Sequence, residues 1–298
     1  METLELNGRQ VCASGIDSMQ VDSKEAAKPV AVAEGAALQG IVVIGASNVS
    51  RGLANLVATV RVRSPEPADL YVAAGHGRSY GANSRVWMRR LPSILWCGLW
   101  RALDRNGFGD TNASAVPQLR AFVTDIGNDL LYGFSADQVA AWVRESVARL
   151  AARHASIAIT RLPLESIATV GMVRYRLLRT LYVPGCTLSL EALKEAAAQL
   201  DAAILEIAKD HRATVIEQPS EWYGLDAIHV RRQKIAAVWQ QACDVWAMPA
   251  ARGPVQASVG EWCRLGRSSA EVRVLAGRMR FVPQPAVHLK SGMRVAMY

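Results

Sequence analysis

The chain has 298 residues, of which 51% are hydrophobic and 20% charged, and a formal net charge of +8. That length accommodates one large domain with a full core, and no apolar run reaches the roughly eighteen residues of a membrane-spanning helix, so a soluble globular protein is expected. The basic surplus is mostly arginine scattered through apolar segments, not one Lys/Arg patch, which argues against a nucleic-acid partner. Cys12, Cys97, Cys186, Cys243 and Cys263 form no C-x-x-C pair and are odd in number, so neither a disulfide framework nor a zinc site is suggested. The opening Met1-Glu2-Thr3-Leu4-Glu5 is acidic and has no apolar signal-peptide core, and a cytoplasmic location is expected.

Residues 1–38 are rich in Ala, Ser, Gln and Glu without a sustained apolar period and read as a disordered leader. Ile41-Val42-Val43-Ile44 then predicts a buried parallel strand closed by Gly45, and Leu53, Leu56, Val57 and Val60 follow at helical spacing, with Ser47 in the turn between. Leu70 to Ala74 predicts a second strand, ahead of the Gly-rich loop Gly75 to Gly81. From Asn83 to Arg105 apolar residues and arginines interleave, Trp87 among them, which predicts a core-packed helix or, alternatively, a lid over an acyl substrate. Ala121 to Thr124 is a third strand, and Ser135 an N-cap for a helix carrying Val139, Trp142, Val143, Val147 and Leu150.

A fourth strand runs over Ile157 to Thr160, and the basic, apolar stretch Val170 to Tyr182 follows it. Ser189 caps a helix through Leu193, Leu200, Ile204 and Ile207; Thr214 to Ile216 is a fifth strand; a last helix through Ile235, Val238 and Trp239 is expected to start near His229. Strands alternating with helices predict an α/β fold over residues 39–248, a three-layer α/β/α sandwich around a doubly wound, five-stranded parallel sheet of flavodoxin-like type. From residue 249 to 298 short alternating runs (Val272, Val274; Met279, Phe281; Val287, Leu289; Met293, Val295) predict a β-rich appendage.

In such a sheet the loops after the strands share one edge, which gathers Ser47, Gly75 to Gly81, Gly127 to Asp129 and Trp222 to His229. A serine hydroxyl needs a base, a group to orient that base, and donors for the oxyanion. Ser47, in Gly45-Ala46-Ser47-Asn48, sits where backbone N–H groups of a first helical turn point at developing negative charge. Asp226-Ala227-Ile228-His229 spaces a carboxylate and an imidazole so that the first can fix the tautomer of the second. Gly127-Asn128-Asp129 combines close backbone approach with an amide donor. Taken singly, each of these is more often a helix cap or an Asx turn.

Together and in this order, Gly45-Ala46-Ser47-Asn48, the Gly-bearing loop, Gly127-Asn128-Asp129 and Asp226-x-x-His229 resemble the four sequence blocks of the SGNH (GDSL-like) hydrolases, over residues 40 to 245. The resemblance implies Ser47 as nucleophile, His229 as general base and then acid, Asp226 as its orienting carboxylate, and an oxyanion hole made of the Ser47 N–H, the Gly77 N–H (Gly75 being the alternative) and the Asn128 amide. It implies no cofactor and no metal. The family often has Asp before the serine, whereas Ala46 stands here, so the support of that carboxylate is expected to be missing.

His76, Arg78 and Trp87 are the candidate substrate-binding residues, the expected partner is a small-molecule or lipid-like acyl ester, and the Trp/Arg segments admit a peripheral membrane contact. A dinucleotide-binding turn at Val43 to Ser47 is disfavoured, because Val49-Ser50-Arg51 stands where further glycines would be needed. The expected function is ester hydrolysis through an acyl-enzyme. An acyltransferase with the same triad, and a non-catalytic binding protein on the same scaffold, are the alternatives. Nothing in the sequence sets the oligomeric state.

Overall fold

A computed structural model describes residues 39–298 except positions 87, 111–116, 184, 225, 252, 254 and 256 and the side chains of residues 181 and 182. The leader over residues 1–38 and Trp87 therefore lie outside the described residues. The first half carries β1 (Gln39–Ile44), α1 (Ser47–Arg63), β2 (Asp69–Ala73), β3 (Ser84–Val86), β4 (Arg89–Leu91), α2 (Leu99–Arg105), β5 (Gln118–Val123), α3 (Asn128–Leu131) and α4 (Ala136–Ala151). The second half carries β6 (Ser156–Thr160), α5 (Leu164–Ala168), α6 (Met172–Tyr182), α7 (Leu190–Asp210), β7 (Thr214–Ile216), α8 (Ile235–Val245), α9 (Val259–Arg267), β8 (Val272–Leu275), β9 (Arg278–Phe281), β10 (Val287–His288) and β11 (Arg294–Met297).

The five expected parallel strands lie in one sheet in the order β2-β1-β5-β6-β7, with β7 at one edge. The side-chain period of two explains why helices cover both faces: Val42 and Ile44 join the core beneath α2, α4 and α7, while Ile41 and Val43 join the core beneath α1 and α8. Ser135 and Ser189 cap α4 and α7 through their side-chain oxygens, as expected; Ser135 forms a reciprocal box with Gln138. Among the described residues no helix is long and apolar enough to cross a membrane.

The segment after residue 249 differs from a simple β appendage. It includes α9, whose Ser258–Glu261 capping box starts it, and its last strand pairs parallel with β2 to extend the main sheet. Val295 and Met293 are buried there, and Arg294 donates to Asp69 at 2.7 Å. β10 pairs with β11 through Val287↔Val295, and β8 with β9 through Val272↔Phe281 and Val274↔Met279.

The expected helix over Asn83 to Arg105 is corrected. Ser84–Val86 and Arg89–Leu91 pair antiparallel as β3 and β4, β4 pairs with β8 in a separate four-stranded sheet, and among the described residues of this stretch only Leu99–Arg105 is helical. Pro92 would interrupt a continuous helix, and a strand partner far along the chain outweighs the local period. The helix expected to be the last, α8, begins at Ile235, not near His229, because residues 226–230 are folded into a bend and a bridge between Tyr223 and Val230, and α9 follows it.

Candidate active site

β1 and β5 are neighbours whose onward helices pack on opposite faces of the sheet, so the loops at their carboxyl ends open the crevice where doubly wound sheets bind ligands. Ser47 follows β1, and Asp125 and Asn128 follow β5. Gly45 makes the first turn close: a Cβ there would meet Val49 Cγ2 at 2.7 Å and Thr124 Cγ2 at 3.0 Å.

The opening turn of α1 presents N–H groups that its own helix cannot satisfy, and Ala46 at the N-cap has no side-chain acceptor to offer. Asp125 supplies one from the neighbouring strand. Its Oδ2 accepts from Ala46 N (2.8 Å), Asn48 N (2.9 Å) and, weakly, Val49 N (3.5 Å), and its Oδ1 from Asn48 Nδ2 (2.7 Å). A carboxylate at a helix N-terminus also complements the dipole. The support expected to be missing with Ala46 is thus provided, and the clamp leaves out the Ser47 N–H. Asp125 is held at φ 59, a left-handed conformation that Asp tolerates better than most side chains, and such departures collect at functional sites.

Asn48 joins this turn to the loop carrying Asp226 and His229. Its Nδ2 donates to Ile228 O (3.1 Å) and its Oδ1 accepts from Val230 N (3.0 Å). Within that loop Asp226 Oδ1 accepts from Ile228 N (2.8 Å) and His229 N (3.3 Å), and Oδ2 is hydrogen-bonded to His229 Nδ1. Burial alone would raise the Asp226 pKa, but the His229 hydrogen bond and charge and the two backbone donors outweigh it and hold it below the ordinary aspartate value. With Nδ1 engaged by Asp226, Nε2 is the ring's other nitrogen.

The remaining wall comes from the loop after β2 and from α3. Gly77 takes φ +71, and a Cβ there would meet Val86 Cγ2 at 2.3 Å, so both backbone angle and space require glycine. Asn128 is buried, and among the described residues its side-chain amide has no hydrogen-bond partner. Asp129 beside it accepts from Tyr80 N at 2.9 Å and so fastens the glycine loop to α3.

Burial raises the Asp129 pKa from 3.8 to about 6, against hydrogen bonds from Ser79 and Tyr80 that lower it. A carboxyl whose pKa is higher folded than unfolded binds its proton more tightly in the native state, so its stabilising contribution falls as pH rises from about 4 to about 6. The expected loss is on the order of 3 kcal/mol. Denaturant unfolding at pH 4.5 and 7 should show about 2 kcal/mol of that loss in the wild type relative to Asp129→Asn; identical pH dependence in the two proteins would contradict it.

One cavity of about 970 Å³ collects these groups: Ser47, His76, Gly77, Asn128, Asp226 and His229 all line it. Gly75, the alternative oxyanion glycine, is not among its lining residues. His76 is exposed at its wall. Partial desolvation and the positive charges of Arg89, His229 and Arg51 keep its pKa below the ordinary histidine value, so it favours the neutral form.

Arg78, expected to touch substrate, is corrected. Its side chain is fully buried, turned away from the cavity, and its guanidinium donates to the Tyr298 carbonyl and, at 3.4 Å, to Ala74 O. It fastens the second block to the last strand. Sequence reasoning missed Asp125 and the bridging role of Asn48, as well as Arg51, Ser79 and Tyr132 in the cavity wall. The signal for Asp125 was present, an acid at a strand's carboxyl end just before Gly127-Asn128-Asp129.

No family model matches the chain, and no curated protein matches it. Solved structures similar to it include the psychrotrophic esterase EstA from Pseudoalteromonas sp., inhibited by monoethylphosphonate (14% identity, 70% of this chain and 98% of that one, TM-score 0.42). The inhibitor-bound M. smegmatis aryl esterase (9%, 69% and 99%, TM-score 0.43) and TesA (12%, 70% and 97%, TM-score 0.39) are others. The functional reading of this chain rests on its own residues.

Proposed function

We propose that the protein is a serine-dependent hydrolase of small-molecule esters, of the SGNH type, with Ser47 as nucleophile. The observation that carries this reading is the convergence of four separate loops on one cavity: the Asp125-clamped serine turn, the Gly77 loop, Asn128, and the Asp226–His229 pair.

In this reading His229 Nε2 takes the Ser47 proton as Oγ bonds to the ester carbonyl carbon. The carbonyl electron pair moves onto oxygen, where the Ser47 N–H, the Gly77 N–H and the Asn128 amide donate to it. The oxyanion collapses, the C–O bond to the alcohol breaks, and His229 returns the proton to the leaving oxygen. Water, deprotonated by His229, then adds to the acyl carbon, the bond to Ser47 Oγ breaks, and His229 returns the proton to Oγ as the carboxylic acid leaves. Asp226 keeps Nδ1–H in place and stabilises the imidazolium in each half-reaction.

The test is turnover of p-nitrophenyl butanoate by the wild type and by Ser47→Ala. The wild type should hydrolyse it and the variant should fall by several orders of magnitude. Equal rates from both proteins, or no turnover by folded wild type, would overturn the reading.

A further inference from the structure

A second, smaller cavity of about 100 Å³ adjoins the catalytic one and shares Asn128, Leu131, Val183 and Ile228 with it. Leu130 of α3, Leu162 after β6 and Ala197 of α7 contribute to its walls, as do Val170, Tyr175 and Leu178 from the α6 segment. Val170 and Tyr175 pack with Leu190 and Ala227 in a small apolar cluster apart from the two main cores, and that cluster holds α6 over the space.

Apart from the Asn128 amide, which this cavity shares with the larger one, the polar side chains along this wall are already partnered. Tyr175 donates to Leu188 O (2.7 Å), Tyr223 to Gln218 Oε1 (2.6 Å), Gln218 Nε2 to Arg161 O (2.7 Å), and the Arg161 guanidinium pairs with Asp201 (2.6 Å) and Glu217 (2.9 Å). Beyond Asn128 a polar occupant would find nothing unmet to bind, whereas an apolar one leaves water at no polar cost.

We propose that this cavity seats the acyl chain of the substrate, which makes the substrate class short-chain acyl esters, while the alcohol part lies in the open cleft; the proposal rests on Ser47 being the nucleophile. Asn128 lines both spaces, so a carbonyl oxygen at its amide leaves the acyl substituent at the entrance of the smaller one. Size sets the length. A cavity of roughly 150 Å³ holds a six-carbon ring, so about 100 Å³ holds about four carbons. The cleft is far larger and its wall includes Arg51, Asn83, Ser84 and Arg85, which suits a bulky, polar alcohol.

The test compares kcat/KM for p-nitrophenyl acetate, butanoate and octanoate in the wild type, in Leu178→Ala and in Ala197→Leu. At about fourfold per methylene buried, the wild type should prefer butanoate over acetate by about tenfold, and over octanoate by at least that. Leu178→Ala opens the wall and should raise the octanoate-to-butanoate ratio about tenfold; Ala197→Leu fills the space and should bring the butanoate-to-acetate ratio towards one. Ratios within one variant cancel any loss of folded protein, and the two variants act in opposite directions, so either alone decides. Ratios equal to those of the wild type in a variant that still hydrolyses acetate would overturn the acyl cavity and leave the Ser47 reading standing. Failure of folded wild type both to hydrolyse any of the three esters and to react with a fluorophosphonate would overturn the two together.

Discussion

Replacing His229 with alanine is expected to lower kcat by about 10⁴- to 10⁶-fold while the protein stays folded. The size of the effect follows from the imidazole's two tasks, accepting the serine proton and then protonating the leaving alcohol, neither of which another group at Ser47 is arranged to take over. His76 lines the same cavity, but in this account no group like Asp226 holds its ring for the two transfers. The fold should survive, because Asp226 keeps its two backbone donors, Ile228 N and His229 N, and Asn48 still holds Ile228 O and Val230 N. Steady-state turnover of an activated ester beside thermal unfolding checks both halves. A kcat within tenfold of wild type would remove His229 as the base.

Asn128→Ala is expected to lower kcat by roughly 10²- to 10³-fold with little change in KM, because the amide meets charge that is present only in the transition state. The free protein supports that separation. Among the described residues the side-chain amide has no partner to lose, so the melting temperature should barely move. The neighbouring Asp129 behaves differently, since its carboxylate holds Tyr80 N and its loss should be felt in stability. Near wild-type turnover in Asn128→Ala, or a large drop in melting temperature with unchanged kcat, would make Asn128 a loop-shaping residue instead.

What could be read from the sequence was what local chemistry decides. The β-branched run at Ile41 to Ile44 and the apolar period behind it define β1 and α1 without help from elsewhere, and Ser135 and Ser189 announce their helices by caps that act over three residues. Asp226 and His229 were legible as a pair because they are three residues apart and bond to each other. The alternation in the last fifty residues was legible as strands, but not their register, Val272 facing Phe281 and Val287 facing Val295, nor the sheets those strands would join.

What escaped depends on contacts far apart in the chain. The hairpin at Ser84 to Leu91 has helical spacing and becomes strand by pairing with β8, nearly the whole domain away. Asp125 supports the serine turn only because β5 lies beside β1, a fact about sheet order and not about its own neighbours. Arg78 reads as a loop arginine beside a glycine-rich block, and only the position of the last strand shows that its guanidinium turns inward to Tyr298.

The central claim is that Ser47 is a nucleophile activated within this cavity, and the most direct measurement is covalent labelling by a fluorophosphonate followed by mass mapping of the modified residue. The account predicts one adduct per folded chain, on Ser47, absent in Ser47→Ala and strongly slowed in His229→Ala. Labelling at another residue, or folded wild-type protein that stays unmodified under conditions that label a control serine hydrolase, would contradict it.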